Sequence, residues 1–194
     1  MNRTTPLLMA LALASASGAT TASGTDLPRI GPAPAFSLTD RDGRAFGLAD
    51  LRGSVVVVDF IFASCTDRCP VQTEKLAQLR GPLGSHFGPD VRFVSISVDP
   101  EHDTPQALAR YAGLHHALTP NWAFLTGPQD EIRRVAQGYG VAVYRSAGGA
   151  VTHNSLTSVI DASGMLRVQY AGVRYATSEL LADIRSLLRE RSGR

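Results

Sequence analysis

The chain contains two cysteines, Cys65 and Cys69, which are separated by three residues and followed directly by Pro70. A thiol pair at this spacing has three chemical outcomes: a disulfide, a free dithiol, or a site for a soft metal ion. Because the 194 residues contain no further cysteine, the two thiols have only each other as sulfur partners. Each outcome implies a different role, and the surroundings of the pair decide among them.

The cysteines follow an apolar run, 55–62, and precede a segment with a helical pattern that begins at Pro70. We therefore place them where a strand ends and a helix begins, at the edge where α/β sheets bind ligands. A helix N-terminus lowers the pKa of a thiol and favours the thiolate, which is the form that binds metals and attacks disulfides. A purely structural disulfide is the weaker interpretation, since a bridge across so short a loop removes little entropy from the unfolded chain.

A third ligand for a soft metal is available in His153, which directly precedes the apolar segment 154–160. Two thiolates and one imidazole suit Cu(I) in trigonal geometry and tolerate Cu(II). The sequence therefore predicts a metal site made of Cys65, Cys69 and His153. The remaining histidines are interpreted as surface or packing residues: His86, His102, His115 and His116.

Hydrophobic periodicity and capping residues predict the elements that position these side chains. Strands are expected at 55–62, 91–98, 122–125, 154–160 and 165–170, and helices at 70–79, 104–112, 130–139 and 177–188. The first of these strands is apolar on both faces, as in a central strand covered by helices on each side. The order predicts an α/β fold, a thioredoxin-like three-layer sandwich with an insertion before the C-terminal β-hairpin. An added N-terminal hairpin is expected from 35–38 and 44–46.

The first residues have the pattern of an export signal, with Arg3 before the apolar stretch 6–14 and small residues after it. That stretch is shorter than the roughly 20 residues that a membrane span requires. We expect a signal peptide at 1–22, a flexible segment at 23–33 and one domain at 34–190. The mature protein is then expected in the periplasm or on the outer face of the cytoplasmic membrane, attached to the membrane only if the leader is retained as an anchor.

Composition argues against one large class of partners. The formal net charge is +2, from 19 lysines and arginines against 17 acidic residues, and no dense basic block is present. A nucleic-acid backbone requires such a block, so nucleic acid is not an expected partner.

Four segments together resemble the Sco/SenC family of copper chaperones, over about residues 34–188: Phe62–Pro70, Val94–Pro105, Leu125–Gly127 and Val151–Ser155. The resemblance implies a thioredoxin-like fold with an inserted hairpin and a copper ion held by Cys65, Cys69 and His153. It also implies a role in metalating the copper centre of cytochrome c oxidase, or in keeping the cysteines of that target reduced. The expected partners are accordingly a cytochrome c oxidase subunit and a thiol reductant.

Two residues depart from the family pattern. Thr152 stands directly before the histidine, where family members commonly have Asp, and Thr66 stands where Pro is frequent between the cysteines. A carboxylate beside the histidine would help to set the tautomer of the imidazole, and such neighbours typically change metal affinity by roughly 10- to 100-fold. Asp67 matches the common acidic position and is expected to tune Cys69 or to cap the helix.

The segment 99–105 contains two further acids. Asp99 and Asp103 are expected to shape the turn, and Asp103 or Thr104 is expected to cap the helix at Pro105. Because this segment leaves the strand next to the cysteine strand, Asp99 can also face the site.

The residues leave two functions open. A copper chaperone would hand its ion to a partner by stepwise ligand exchange, without enzymatic turnover, and a Cys65–Cys69 disulfide would block loading. The alternative is a metal-free thiol-disulfide oxidoreductase, in which the cysteines form a redox-active disulfide and His153 is incidental. A peroxiredoxin fits less well, because Phe62 stands where that family has a proline and Cys65 lies too close to Cys69 to be its usual resolving partner.

Overall fold

Strand β4 (Val55–Ile61) is the centre of the fold in the computed structural model, which describes residues 27–193. All seven of its side chains are buried, and the six apolar ones are divided between two hydrophobic clusters. Val56, Val58 and Phe60 face one cluster, and Val55, Val57 and Ile61 face the other. This confirms the expected central strand with helices on both sides.

The strands form one eight-stranded sheet and one separate hairpin. The strands of the large sheet are β1 (Gly31–Pro32), β2 (Ser37–Asp40), β3 (Ala45–Gly47), β4, β5 (Val91–Ser97), β6 (Trp122–Thr126), β9 (Leu156–Ile160) and β10 (Met165–Ala171). Their order is β1-β10-β9-β4-β5-β6-β2-β3, with β4, β5 and β6 parallel and β9 antiparallel to β4. The separate hairpin consists of β7 (Val143–Arg145) and β8 (Val151–His153).

Four helices complete the three layers: α1 (Arg68–Leu83), α2 (Pro105–Leu114), α3 (Gln129–Gly138) and α4 (Thr177–Ser192). Helices α1, α2 and α4 bury apolar side chains against one face of the sheet, represented by Leu76, Leu108 and Ile184. Helix α3 covers the other face with Ile132 and Val135. The three-layer α/β sandwich with an N-terminal hairpin, β2–β3, is thereby confirmed.

One helix start differs from expectation and another is settled between two candidates. Helix α1 begins at Arg68 rather than at Pro70, so Cys69 lies inside its first turn. Of the two expected caps of α2, Asp103 and Thr104, it is Thr104 whose hydroxyl accepts a hydrogen bond from the backbone N–H of Ala107. A proline at the first helical position is compatible with this start, since its missing N–H has no partner there anyway.

A buried ion cluster around Arg167 holds the first described residues. The guanidinium of Arg167 is 2% exposed and pairs with Asp161 and Glu190 at 2.9 and 2.8 Å. It also donates to the backbone carbonyls of Leu27 and Pro28. These contacts fix the start of the described chain, and the first strand then pairs with β10.

Part of the expected flexible segment 23–33 is therefore an edge strand, Gly31–Pro32, while 23–26 and the expected signal peptide at 1–22 lie outside the described residues. Within 27–193, no helix is both long enough and apolar enough to cross a bilayer.

Candidate metal centre

The two cysteines lie where β4 ends and α1 begins. Cys65 is half-buried in the connecting loop, and Cys69 is 1% exposed in the first turn of the helix. The backbone N–H of Cys65 donates to the carbonyl of Phe62 at 3.1 Å, which closes a tight turn. The N–H of Ala63 donates to the carboxylate of Asp103, at 3.0 and 3.2 Å to its two oxygens. The cysteine loop is thus anchored at its start from the neighbouring β5–α2 turn.

His153 is the last residue of β8 and faces the same point. Its Nε2 lies 3.7 Å from the Sγ of Cys69. Its Nδ1 lies 3.0 Å from the backbone carbonyl of Asn154, so Nδ1 carries the proton and donates it to that carbonyl. The lone pair of a neutral ring is then on Nε2, the nitrogen that faces the sulfur. The structure therefore brings Cys69 and His153 together, with the imidazole in the tautomer that a metal ion requires.

Both cysteines and the histidine line one open cleft of about 470 Å³. Its walls come from the cysteine loop and from the end of β8, with Phe62 packed edge-on against the His153 ring. The sulfurs and the Nε2 do not all lie within 4.8 Å of one another. A trigonal site therefore requires the half-buried Cys65 side chain to turn toward the other two ligands.

Burial sets the protonation states in this cleft. It raises the pKa of the Cys69 thiol, and a hydrogen bond with Cys65 raises it further. This is the opposite of the effect expected from the helix N-terminus, because the loss of water around the sulfur outweighs the dipole. Burial also lowers the pKa of the His153 imidazole, which keeps the ring neutral. A soft metal ion must therefore displace a proton from Cys69 in order to bind.

The acids in the cysteine loop and in the β5–α2 turn have different roles. Asp67 precedes α1 but makes no capping hydrogen bond, and its side chain is 87% exposed. Asp103 is buried and accepts from Ala63 and, at 2.5 Å, from the hydroxyl of Ser97. Asp103 is therefore a structural anchor of the cysteine loop.

The sequence reasoning did not identify Arg145. This residue lies at the end of β7, and its Nη2 donates to the Oδ1 of the buried Asp99 at 2.7 Å. Its Nη1 lies 3.4 Å from Glu101, and the other Asp99 oxygen accepts from the Nδ1 of His102 at 2.9 Å. The ligand atoms of Asp99, Glu101 and His102 lie within 4.8 Å of one another, but the guanidinium already occupies this group as its cation. No periodic or capping pattern singles out this arginine.

Comparison with known proteins adds an independent line of evidence. The SCO1/SenC family model matches residues 27–189. The SCO1 protein homolog of Bacillus subtilis is 33% identical over 155 residues, which cover 78% of this chain and 80% of that protein.

Two solved structures have a similar fold. The crystal structure of Arabidopsis thaliana ScoI with copper bound has a TM-score of 0.71 and 30% identity, covering 83% of this chain and 99% of that one. The structure of BsSco, described as having a disulfide switch and as a member of the Sco family of cytochrome c oxidase assembly proteins, has a TM-score of 0.71 and 31% identity, covering 84% and 95%. With the family model spanning nearly all of the described residues, this chain belongs to the SCO1/SenC family.

Proposed function

We propose that this protein is a copper chaperone that binds one copper ion through Cys65, Cys69 and His153 and delivers it to the copper centre of cytochrome c oxidase. The observation that carries the proposal is the 3.7 Å approach of His153 Nε2 to Cys69 Sγ in a cleft that also contains Cys65. The copper-bound ScoI and the oxidase-assembly protein BsSco are relatives of this chain and support the same assignment.

The ligand set determines which ion is held. Two thiolates and a neutral imidazole form a soft, low-coordinate set that favours Cu(I) and accepts Cu(II). The cleft is open to solvent, so thiolates of an acceptor protein can reach the ion and replace the chaperone ligands one at a time. The protein breaks no bond in a small-molecule substrate, and its role is transfer rather than catalysis.

The oxidation state of the cysteines controls loading. When a partner disulfide accepts two electrons and two protons from the dithiol, Cys65 and Cys69 become joined and leave no thiolate for the ion. A partner dithiol that reduces the Cys65–Cys69 disulfide restores both thiols and is itself oxidised to a disulfide. We therefore include a thiol reductant among the partners, and we place the chain outside the cytoplasm because of the export pattern at 1–22.

The competing function is a metal-free thiol-disulfide oxidoreductase. Such an enzyme needs a reactive thiolate, and burial raises the pKa of Cys69 and so disfavours the thiolate in the absence of a metal. A neutral imidazole with its lone pair toward the sulfur is also unnecessary for disulfide exchange. The raised pKa of Cys69 opposes both functions alike, so it is the orientation of the imidazole that favours metal binding.

Anaerobic titration of the reduced protein with Cu(I), read by X-ray absorption, tests the proposal. We expect one equivalent bound through two sulfurs and one nitrogen. Cys65→Ser and His153→Ala should each lose stoichiometric binding, whereas His116→Asn, at an exposed histidine outside the cleft, should retain it. Unchanged copper content in the first two variants, together with insulin reduction by the metal-free protein, would instead support the oxidoreductase.

A further inference from the structure

The histidine hairpin, which we define as β7, β8 and the turn between them (143–153), stands apart from the main sheet. Its two strands pair only with each other within the described chain, with Val143 opposite His153 and Arg145 opposite Val151. A two-stranded ribbon of three residues per strand is at best marginally stable by itself. Val151 packs in one hydrophobic cluster of the core, and the position of His153 depends on this packing and on the polar contacts that fasten the hairpin to the rest of the molecule.

The base of the hairpin is fastened by Asn154. Its side-chain oxygen accepts from the N–H of Ala142 at 2.7 Å, and its side-chain nitrogen donates to the carbonyl of Gly140 at 3.3 Å. These bonds join the two ends of the hairpin to each other. They do not connect it to the loop that carries the cysteines.

Besides the edge-on packing of Phe62 against the His153 ring, the polar connection toward the cysteines is made by Arg145. Residues opposite each other in an antiparallel pair project to the same face, so Arg145 shares the inward face with Val151 and, two residues further along β8, with His153. The guanidinium bonds the buried Asp99 at 2.7 Å and also donates to the carbonyl of Gly149 in the hairpin turn at 3.3 Å. Arg145 therefore links β7 and the turn of the hairpin to the β5–α2 turn.

The same turn holds the cysteine loop. Asp103 accepts from the N–H of Ala63, two residues before Cys65. The two acids are themselves joined, because the N–H of Asp103 donates to the carbonyl of Asp99 at 2.9 Å, and the hydroxyl of Ser97 contacts both residues. Both residues are buried: Asp99 is 4% exposed and Asp103 is 2% exposed.

We propose that the 99–103 turn is a bracket that sets the distance between the two halves of the metal site, and that Arg145 is the positioning residue that couples the histidine hairpin to it. The carboxylate of Asp103 fixes the cysteine loop, and the carboxylate of Asp99 fixes the hairpin through the guanidinium of Arg145. This inference rests on the proposed copper site. It assigns to Arg145 and Asp99 a role in orienting His153 without contact to the ion.

Removing the arginine leaves the Asp99 carboxylate buried with only His102 as a side-chain partner and releases the hairpin from the turn. The two sulfur ligands remain in place, since their loop is held separately by Asp103. The consequence is a weakened nitrogen ligand within an otherwise intact site. Groups that orient a metal ligand typically affect affinity by roughly 10- to 100-fold, and we expect the lower end here.

The test compares Arg145→Gln, Asp99→Asn, the double variant and Arg145→Lys in the full chain. Arg110→Gln, at an exposed arginine on α2, is the matched control. Electron paramagnetic resonance of the Cu(II) form reports the nitrogen ligand, and competition titration reports affinity. Each single variant should lose about 10-fold in Cu(II) affinity and weaken the nitrogen hyperfine signal. X-ray absorption of the Cu(I) form should still count two sulfurs.

The double variant should be no weaker than the weaker single variant, because Arg145→Gln removes and Asp99→Asn weakens the same ion pair. Arg145→Lys should recover part of the affinity, since an ammonium keeps the positive charge beside Asp99 but lacks the planar fork whose two nitrogens reach Asp99 and Gly149. Wild-type Cu(II) affinity and nitrogen hyperfine signal in Arg145→Gln, or additive losses of affinity in the double variant, would overturn the proposal. If His153→Ala itself leaves copper binding unchanged, it is the proposed site that fails, and the two failures are thereby distinguished.

Discussion

At the scale of single residues, the imidazole of His153 shows how a neighbouring backbone atom can replace a side chain. The carbonyl of Asn154 accepts from Nδ1 and presets the tautomer that presents Nε2 to the sulfur. The family pattern commonly uses an aspartate at position 152 beside this histidine, and this chain has Thr152. In this structure the acceptor that orients the imidazole is the backbone carbonyl of Asn154, the residue after the histidine rather than the residue before it.

We expect Thr152→Asp to have little effect on copper affinity. Successive residues of a strand project to opposite faces, so an aspartate at 152 points away from the face that His153 occupies, and the tautomer is already set. Competition titration with Cu(I) should show a change smaller than the roughly 10-fold effect typical of groups that orient a ligand. A larger gain in affinity would show that the Asn154 carbonyl is an inadequate acceptor.

At the scale of elements, the central strand β4 contains one acidic residue, Asp59, among apolar ones. Asp59 is completely buried in β4, and its Oδ1 accepts from the hydroxyl of Ser95 at 2.5 Å. Its Oδ2 has no hydrogen-bond partner in the described structure. Burial raises the pKa of Asp59 from 3.8 to about 7, although the hydrogen bond from Ser95 opposes the rise. The folded protein therefore keeps a proton that the unfolded chain releases at lower pH.

Asp59→Asn should stabilise the apoprotein at pH 8 and have little effect near pH 4. Between about pH 4 and pH 7 the native state binds more protons than the unfolded state, so the free energy of unfolding falls as the pH rises through this window. A rise in pKa from 3.8 to about 7 corresponds to about 4 kcal/mol, and asparagine has the shape of the protonated acid without this penalty. Urea unfolding of both proteins at pH 4, 6 and 8 measures the difference. A gain in the free energy of unfolding that is equal at all three pH values would contradict the raised pKa of Asp59.

The same scale shows what could be predicted from the sequence. The long elements followed from apolar periodicity, and the placement of the cysteines at the β4–α1 junction followed from them. Apolar periodicity does not predict the histidine hairpin, because strands of three residues around a Ser-Ala-Gly-Gly turn carry no periodic signal, and only the family resemblance implies an inserted hairpin. The direction of the Cys69 pKa shift was also wrong, since the helix dipole is a local property whereas burial is set by residues far along the chain. Arg145 was invisible for the same reason: its partner, Asp99, lies 46 residues away.

At the scale of the whole molecule, the Arg167 cluster joins the start of the described chain to its last helix. Arg167 is 2% exposed, and removing it leaves Asp161 and Glu190 without their cation. We expect Arg167→Gln to lower the free energy of unfolding by about 3–5 kcal/mol, as is typical when one partner of a buried pair is lost. Thermal unfolding measures the loss, and trypsin cleavage after Arg29 should accelerate.

Arg134→Gln provides the control, because the Arg134–Glu131 pair lies on the surface of α3, with the arginine 60% exposed. Exposed pairs contribute about 0–1 kcal/mol. Equal losses in the two variants would show that the Arg167 cluster is no more important than a surface pair.

The location of this cluster also has a consequence for orientation. Asp161 directly follows β9, whose last residue, Ile160, lies beside Val56 at the beginning of β4, whereas the cysteines follow the other end of that strand. Leu27 is held by the same guanidinium as Asp161 and Glu190. Leu27, where the described chain begins, therefore lies at the pole of the molecule opposite the thiols. A tether at that pole would leave the mouth of the cleft pointing outward, free to dock with an incoming acceptor.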